Sequence, residues 1–386
     1  MSSAAGCNTL FVARNIPIPG HRENDIILQF ADQLKAAGVG VEIAYPAEWM
    51  PVPSGLLRGI RRAVAALPNR FESHGHRVRV LRYLRLPGLQ YSYALAGHFR
   101  GGRVEPAPDW IHAHYVLPDG IMARTLAHRL NRPYAVTVRQ GDMRKWQQLH
   151  VRSPLVRSFD KVLRGASSVF TPSTTIAAEL AERGIDATLL PHGMTLPSVE
   201  RSPIEPSPDG LTVFAAASLL PLKQLDWLID ALPTLPEISR LTLAGDGPER
   251  NRLVDQVARQ NLGDRVCFLG AVSRDEVLRQ MSACDIYALP SVRETFGLSY
   301  LEAAACGCAV MACRHTGVHG CFEEDQEMVF CEPDRDDAIA VLARLCRDTA
   351  LRQRVASGGR KRVETDYTWP RVIGRYLSTV TGMSAP

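Results

Sequence analysis

The chain has 386 residues and a mass of 42.5 kDa, with 46% hydrophobic and 22% charged residues. These values exclude a disordered tail protein, a collagen-like fibre and a small disulfide scaffold, and they allow two or three domains with cores of their own. No run of about 18 uncharged apolar residues occurs, and Met1–Gly6 has no basic patch followed by a long apolar core, so neither a spanning helix nor a signal peptide is expected.

The net charge of +5 is unevenly spread. Residues 1–196 carry 24 Lys and Arg against 14 Asp and Glu, and residues 197–386 carry 21 against 26. A first half at +10 and a second at −5 suggest that the first half meets something anionic. Eight of the nine cysteines follow residue 260, none in a Cys-x-x-Cys pair. Irregular spacing argues for small buried hydrophobes in a reducing cytoplasm rather than for zinc.

Apolar strands alternate with amphipathic helices. In the first half the pattern predicts strands over Thr9–Ala13, Val39–Ala44, Trp110–His114, Tyr134–Val138, Ser168–Thr171 and Ala187–Leu190, and helices over Ile26–Ala36, Gly120–Leu130 and Thr174–Arg183. In the second half it predicts strands over Leu211–Ala216, Leu241–Ala244, Val266–Leu269, Ile286–Leu289, Ala309–Ala312 and Met328–Cys331. The helices between them are predicted over Leu225–Leu232, Glu249–Gln260, Arg274–Ser282, Ser299–Ala305 and Asp337–Arg347. Such alternation predicts an α/β protein of two doubly wound domains facing across a cleft. The segment 197–210, with four prolines and no apolar periodicity, reads as a linker. The expected division is a first Rossmann-like domain over 1–196, a second over 211–366, and a C-terminal helix in 367–386 crossing back to the first.

The most informative stretch is Pro290–Ala304, with Glu294 just before a predicted helix and Glu302 inside it. Backbone N–H groups of Phe296, Gly297 and Leu298 would point out of the helix start, where they can hold an anion or a sugar hydroxyl. At about 1.5 Å per helical residue, the two carboxylates can address opposite ends of one elongated ligand. Either glutamate alone would read as an ordinary capping or surface acid.

The whole string resembles the Glu-x7-Glu motif of retaining glycosyltransferase family 4, the group 1 glycosyltransferases of GT-B fold. Gly245-Asp246-Gly247-Pro248-Glu249, Val266–Gly270 and Ile286–Ser291 extend the resemblance in the family's order and spacing. It implies that Glu294 binds donor-sugar hydroxyls and Glu302 the ribose. Ser218–Lys223 resembles the family's phosphate-binding turn; Ser218 stands where the family has Arg, which leaves Lys223 as the turn's cation for the pyrophosphate.

The first half resembles the family more weakly. Asp109–His114 resembles a strand ending in His-x-His, which implies that His114 lies near the reacting sugar. Thr137–Asp142 resembles a His/Arg-Gly-x-Asp turn, with Arg139 facing donor phosphates or an anionic acceptor and Asp142 either capping the next segment or touching the acceptor. Gly20 sits in the position of a donor-loop glycine, followed by His21 and Arg22. Asp334-Arg335-Asp336 superficially matches a metal-binding Asp-x-Asp but precedes a helix and reads as a cap.

The resemblance implies sugar transfer from a nucleotide-diphosphate sugar to an acceptor hydroxyl with retention, in polysaccharide or glycolipid assembly, without a metal or other cofactor, with 1–196 as the acceptor domain and 211–366 as the donor domain. The rivals are a GT-B sugar-nucleotide epimerase and a non-catalytic sugar-binding protein on the same fold. A nicotinamide enzyme is poorly supported, since no Gly-x-Gly-x-x-Gly follows the first strand of either half.

The partners expected are the nucleotide-sugar donor and a glycan or lipid-linked acceptor. Residues 54–86 hold eight arginines against Glu72 alone, and Leu56, Leu57, Ile60, Val64 and Leu67 share one helical arc. Two readings fit: a surface helix with its apolar face on the core, or an interfacial helix on anionic lipid, which would place a cytoplasmic protein at the cytoplasmic membrane face. Nucleic acid is not expected, because only Phe71 and Tyr83 are available there for stacking.

Overall fold

The structure is a computed structural model that describes residues 6–21, 25–51, 57–86, 90–100, 107–149, 153–197 and 210–382. Arg22, Leu56 and the Pro-rich stretch 198–209 lie outside the described residues. The chain divides into two units. The first comprises residues 1–172, 176–190 and 372–386, and the second residues 173–175 and 191–371.

The first unit runs through β1 (Asn8–Val12), α1 (Ile26–Ala36), β2 (Gly40–Trp49), α2 (Ile60–Ala66), β3 (Arg70–Ser73), β4 (His76–Leu84), β5 (Phe99–Arg100) and β6 (Trp110–Ala113). It continues with α3 (Ile121–Leu130), β7 (Tyr134–Thr137), α4 (Gln140–Gln148), α5 (Pro154–Gly165), β8 (Ser168–Thr171), α6 (Thr174–Ala181) and β9 (Thr188–Leu189). The sheet order is β3-β4-β2-β1-β6-β7-β8-β9, with β5 also on β4. The β3–β4 and β4–β5 pairs are antiparallel and the rest parallel. In β1, four successive residues, Thr9–Val12, are buried, as a strand covered on both faces requires. α1 buries Ile27, Leu28, Phe30, Ala31 and Leu34, the one-sided spacing of an amphipathic helix.

Residues 54–86 differ from the sequence expectation. The helix there is α2, two turns long, and Leu57, Val64 and Leu67 are buried, leaving Ile60 as the exposed apolar residue among the described positions of the arc. These three side chains pack on the core, as in a surface helix of a globular domain. Residues 70–84 form the β3–β4 hairpin. Its arginines are not one exposed field: Arg79 is buried against Glu42, with Nε 3.0 Å from the carboxylate, and Arg82 donates to the Leu67 carbonyl.

The second unit contains β10 (Leu211–Ala216), α7 (Leu225–Ala231), β11 (Ile238–Ala244), α8 (Arg250–Arg259), β12 (Val266–Gly270), α9 (Arg274–Ala283) and β13 (Ile286–Ala288). It goes on through α10 (Leu298–Ala305), β14 (Ala309–Cys313), β15 (Val329–Cys331), α11 (Arg335–Arg347) and α12 (Thr349–Asp366). All six strands are parallel in the order β12-β11-β10-β13-β14-β15. That is the dinucleotide-fold order, which reverses direction between β10 and β13 and opens a crevice beyond their carboxyl ends. Asp334 caps α11 by accepting from the N–H groups of Asp336 and Asp337. No disulfide joins any of the nine cysteines, and seven of them are buried.

The last helix, α13 (Trp369–Val380), carries Tyr376 into the core of the first unit. The Tyr376 hydroxyl lies 2.9 Å from Trp110 Nε1 and 3.0 Å from His112 Nδ1, and His112 Nε2 lies 2.8 Å from Thr137 Oγ1. With the indole N–H donating, the phenol passes its proton toward Nδ1 and Nε2–H donates to the threonine, so each buried group has a partner. Removing the hydroxyl orphans the indole N–H and one imidazole nitrogen. Tyr376→Phe should cost about 1–3 kcal/mol for each orphaned group. Urea titration of the full chain checks this, and an unchanged midpoint would show that the hydroxyl chain contributes nothing.

Candidate functional site

In the second unit, the two loops that leave β10 and β13 meet at the crevice. The loop after β10 turns through Pro221–Lys223, and the Lys223 N–H donates to Leu220. It is strapped to the loop after β13, since Val292 N–H donates to the Leu222 carbonyl at 3.0 Å and Ser291 Oγ reaches the same oxygen at 3.3 Å. The strapping brings Lys223 Nζ onto Glu294 Oε1 in an ion pair, with each side chain only 15% exposed. Two groups 71 residues apart in sequence thus form one polar centre.

Gly297 is the N-cap of α10 at φ +89°, a left-handed conformation in which a Cβ would fall 2.5 Å from the Tyr300 ring. Phe296 is buried and anchors the turn. The N–H groups of Gly297 and Leu298 head the helix, where no preceding turn can accept them. Glu302, one and a half turns on, accepts from Arg274 Nε at 2.9 Å and Nη2 at 2.8 Å. Ser218 is exposed, and its carbonyl accepts from Leu220 N–H. The Gly245–Glu249 turn packs beside it, with Leu219 N–H donating to Asp246 and Glu249 N–H to Leu219. The structure therefore gathers Lys223, Glu294 and the α10 start at one crevice, with Ser218 at the head of the same loop.

In the first unit, the loops after β1 and β6 hold the corresponding groups. His114 is buried, stacked on His112 at 4.4 Å, with Phe11 edge-on at 4.4 Å. His112 is fully buried, and that burial lowers its pKa to about 3, so it is neutral. Arg139 Nε donates to the His114 carbonyl at 3.3 Å, and the guanidinium lies over the Tyr115 ring. Gly20 forms an exposed tight turn closed by His21 N–H to the Ile18 carbonyl.

Of the two roles expected for Asp142, the structure displays the cap. It is buried, with Oδ2 accepting from Arg139 N–H and Oδ1 from Val116 N–H, both at 3.1 Å. One oxygen thus satisfies the N-cap of α4 and the other the loop after β6, so both are occupied by backbone N–H groups.

Two charged residues here had no signal in the sequence. Arg274 and Glu302 are 28 residues apart, a separation no local rule reads. Asp119 lies in a Pro-Asp-Gly string that reads as a helix start, yet it is fully buried with Oδ2 facing Arg14 N–H at 3.3 Å. A cavity of about 780 Å³ opens beside Asn8, Gly40 and Arg77. It lies at the amino ends of β1, β2 and β4, the wrong edge of a parallel sheet for substrate. Among the described residues, no group of three or more His, Cys, Asp or Glu is placed to hold a metal.

Two doubly wound units of dinucleotide-fold type, one with an ammonium, a carboxylate and a helix start at its switch point, define the GT-B glycosyltransferase class. The family model described as Glycosyl transferases group 1 matches residues 200–362, and that described as Glycosyl transferase 4-like domain matches residues 24–192. The chain belongs to the group 1 glycosyltransferases of family 4 and is an enzyme that uses a nucleotide sugar. It is 28% identical over 312 residues to glycogen synthase of Mycobacterium tuberculosis, covering 72% of this chain and 71% of that one. Sucrose-phosphate synthase from Thermosynechococcus elongatus shares the fold with a TM-score of 0.70 at 20% identity, over 97% of this chain and 99% of that one. Anabaena HepE in complex with UDP and glucose gives 0.67 at 19%, over 98% and 100%.

Asp119 supplies a pH test. Burial pushes its carboxyl up from 3.8 to about 7, against the pull of Arg14. A raised carboxyl pKa contributes stability that is complete below 3.8 and is lost as pH rises through 7. Asp119→Asn, with no charge to bury, should gain on the parent between pH 5 and pH 8, by at most roughly 1.4 kcal/mol per pH unit. His112 acts with the opposite sign but cancels in the comparison. Melting temperatures of both proteins at the two pH values check it, and a pH-independent difference would be evidence that the carboxyl titrates normally.

Proposed function

We propose that the second unit binds a nucleoside diphosphate sugar and that the sugar passes to an acceptor hydroxyl with retained configuration, in polysaccharide or glycolipid assembly. The observation that carries this reading is the Lys223–Glu294 pair at the switch point. An ammonium suits a diphosphate, and a carboxylate held by that ammonium is placed to accept from sugar hydroxyls. Glu302, oriented by Arg274, takes the ribose, and the N–H groups of Phe296, Gly297 and Leu298 add donors for anionic or hydroxyl oxygen.

Chemically, the bond from the anomeric carbon to the leaving phosphate oxygen breaks and a bond to the acceptor oxygen forms on the same face. The acceptor proton goes to the departing phosphate. Charge developing on that phosphate is met by Lys223 and backbone donors, with no metal required in this reading. His114 and Arg139 keep the roles the family resemblance implies, a hydroxyl partner and a cation for the leaving group. A cytoplasmic location, at the membrane face when the acceptor is lipid-linked, belongs to the same reading.

Two measurements test it. NMR of the glycoside formed from an α-linked donor should show an α anomeric proton; a β product would overturn retention, and an epimerised donor formed without any acceptor would favour the epimerase. The second measurement is calorimetric titration with free UDP and GDP. Before any donor arrives, Lys223 is held by Glu294, so a diphosphate must compete with that carboxylate. Glu294→Gln should therefore tighten free nucleotide diphosphate by about three- to tenfold while lowering kcat roughly 10- to 150-fold. Glu302→Gln should weaken the free nucleotide about tenfold. If both variants weaken it equally, the assignment of sugar and ribose roles is wrong.

A further inference from the structure

Within the first unit, a cavity of about 280 Å³ opens at the carboxyl ends of β1, β2 and β4, the edge at which parallel sheets take ligands. Its polar wall is built from Arg14, Glu48, Arg85 and Tyr93. Three cations surround the Tyr93 ring: Arg85 at 4.2 Å from its centroid, Lys145 at 5.1 Å and Arg14 at 5.6 Å. Arg61 adds a fourth positive charge at the rim and makes no ion pair among the described residues. Burial pushes the Tyr93 phenol up, but the Arg14 and Lys145 charges outweigh it and the net shift is downward.

Against these stands one carboxylate on the wall. Glu48 lies 3.8 Å from Arg14, 3.6 Å from Arg85 and 3.3 Å from the Tyr83 hydroxyl, so a single charge is divided among three donors. Asp119 backs Arg14 from inside, but buried as it is, it holds its proton up to about neutral pH. Like charges crowded around a small, partly enclosed pocket repel one another unless an anion sits among them. A guanidinium pair of this kind matches phosphate or carboxylate oxygen by its fork of N–H groups. Met50 and Val64, both buried, and Ile60, which is exposed, supply an apolar wall.

We propose that this pocket takes an anionic group carried by the acceptor, a phosphate or a carboxylate, with the apolar wall against the ring or chain that bears it. The volume is that of a group rather than of a whole acceptor. The proposal rests on the transferase reading and names the acceptor class for it. Such a group can come from a water-soluble sugar phosphate or from a lipid headgroup.

The test uses the full chain saturated with UDP or GDP, so that the nucleotide site is filled. Glucose 6-phosphate is titrated against glucose, and flotation compares vesicles of equal parts phosphatidylglycerol and phosphatidylcholine with vesicles of phosphatidylcholine alone. Arg14→Gln and the exposed Arg61→Gln are the variants. The expected result is selective binding of glucose 6-phosphate or of the anionic vesicles, weakened about tenfold or more by each variant, with nucleotide affinity unchanged. Binding of the sugar phosphate alone points to a soluble acceptor, and binding of the anionic vesicles to a lipid-borne one. Equal binding of glucose and glucose 6-phosphate together with no vesicle selectivity, or selectivity that both variants leave intact, overturns the proposal. Failure to bind any nucleotide diphosphate strikes the donor reading instead, so the two failures are told apart.

Discussion

Lys223 and Glu294 meet because β10 and β13 are neighbours in the sheet while the chain leaves them in different directions. A parallel strand delivers its carboxyl end to one edge only, so every loop that follows such a strand competes for the same rim. At a switch point the competition is relieved and a crevice opens. The two loops that border it are tied by the Val292 to Leu222 hydrogen bond, and the pair of charges follows from that tie. The pair also links binding to chemistry, because the ammonium that should hold a diphosphate is the one that fixes the carboxylate meant for the sugar.

Much of this was legible in the sequence where periodicity was clean. The first strand, the first helix and all six strands of the second unit follow from apolar runs and spacing. The Glu294–Glu302 string marked the crevice because the family resemblance added what local reading lacks. What local reading lacks is partnership. Nothing near Glu302 announces Arg274, and nothing near Asp142 says that both its oxygens will be taken by backbone N–H groups of Arg139 and Val116.

The pattern left out the β3–β4 hairpin and helices α4, α5 and α12, and for the hairpin and α12 the structure shows the physical reason. The β3–β4 hairpin carries arginines on strand positions, and arginine next to arginine reads as solvated surface. Arg79 is instead drawn inside by Glu42 on the neighbouring strand, a contact 37 residues away. Helix α12 contains Gly358 and Gly359, which weaken a helical pattern. There a Cβ would fall 2.1 Å from the Gln326 carbonyl and 2.6 Å from the Glu327 carbonyl, so the glycines mark where a loop lies flat on the helix.

Tyr376 has a consequence for biosynthesis. Residues 1–172 and 176–190 of the first unit are translated before most of the second, yet the hydroxyl that satisfies Trp110 and His112 lies on α13, which follows the second unit in the chain. Until that helix emerges, the nascent first unit holds an indole N–H and an imidazole with no phenol to receive them, beneath an apolar surface that α13 will cover. Domains commonly complete folding in the order of synthesis. Here the second unit can finish before the first, and a nascent chain stalled short of residue 376 would present chaperones with an open amino-terminal core beside a closed carboxy-terminal one.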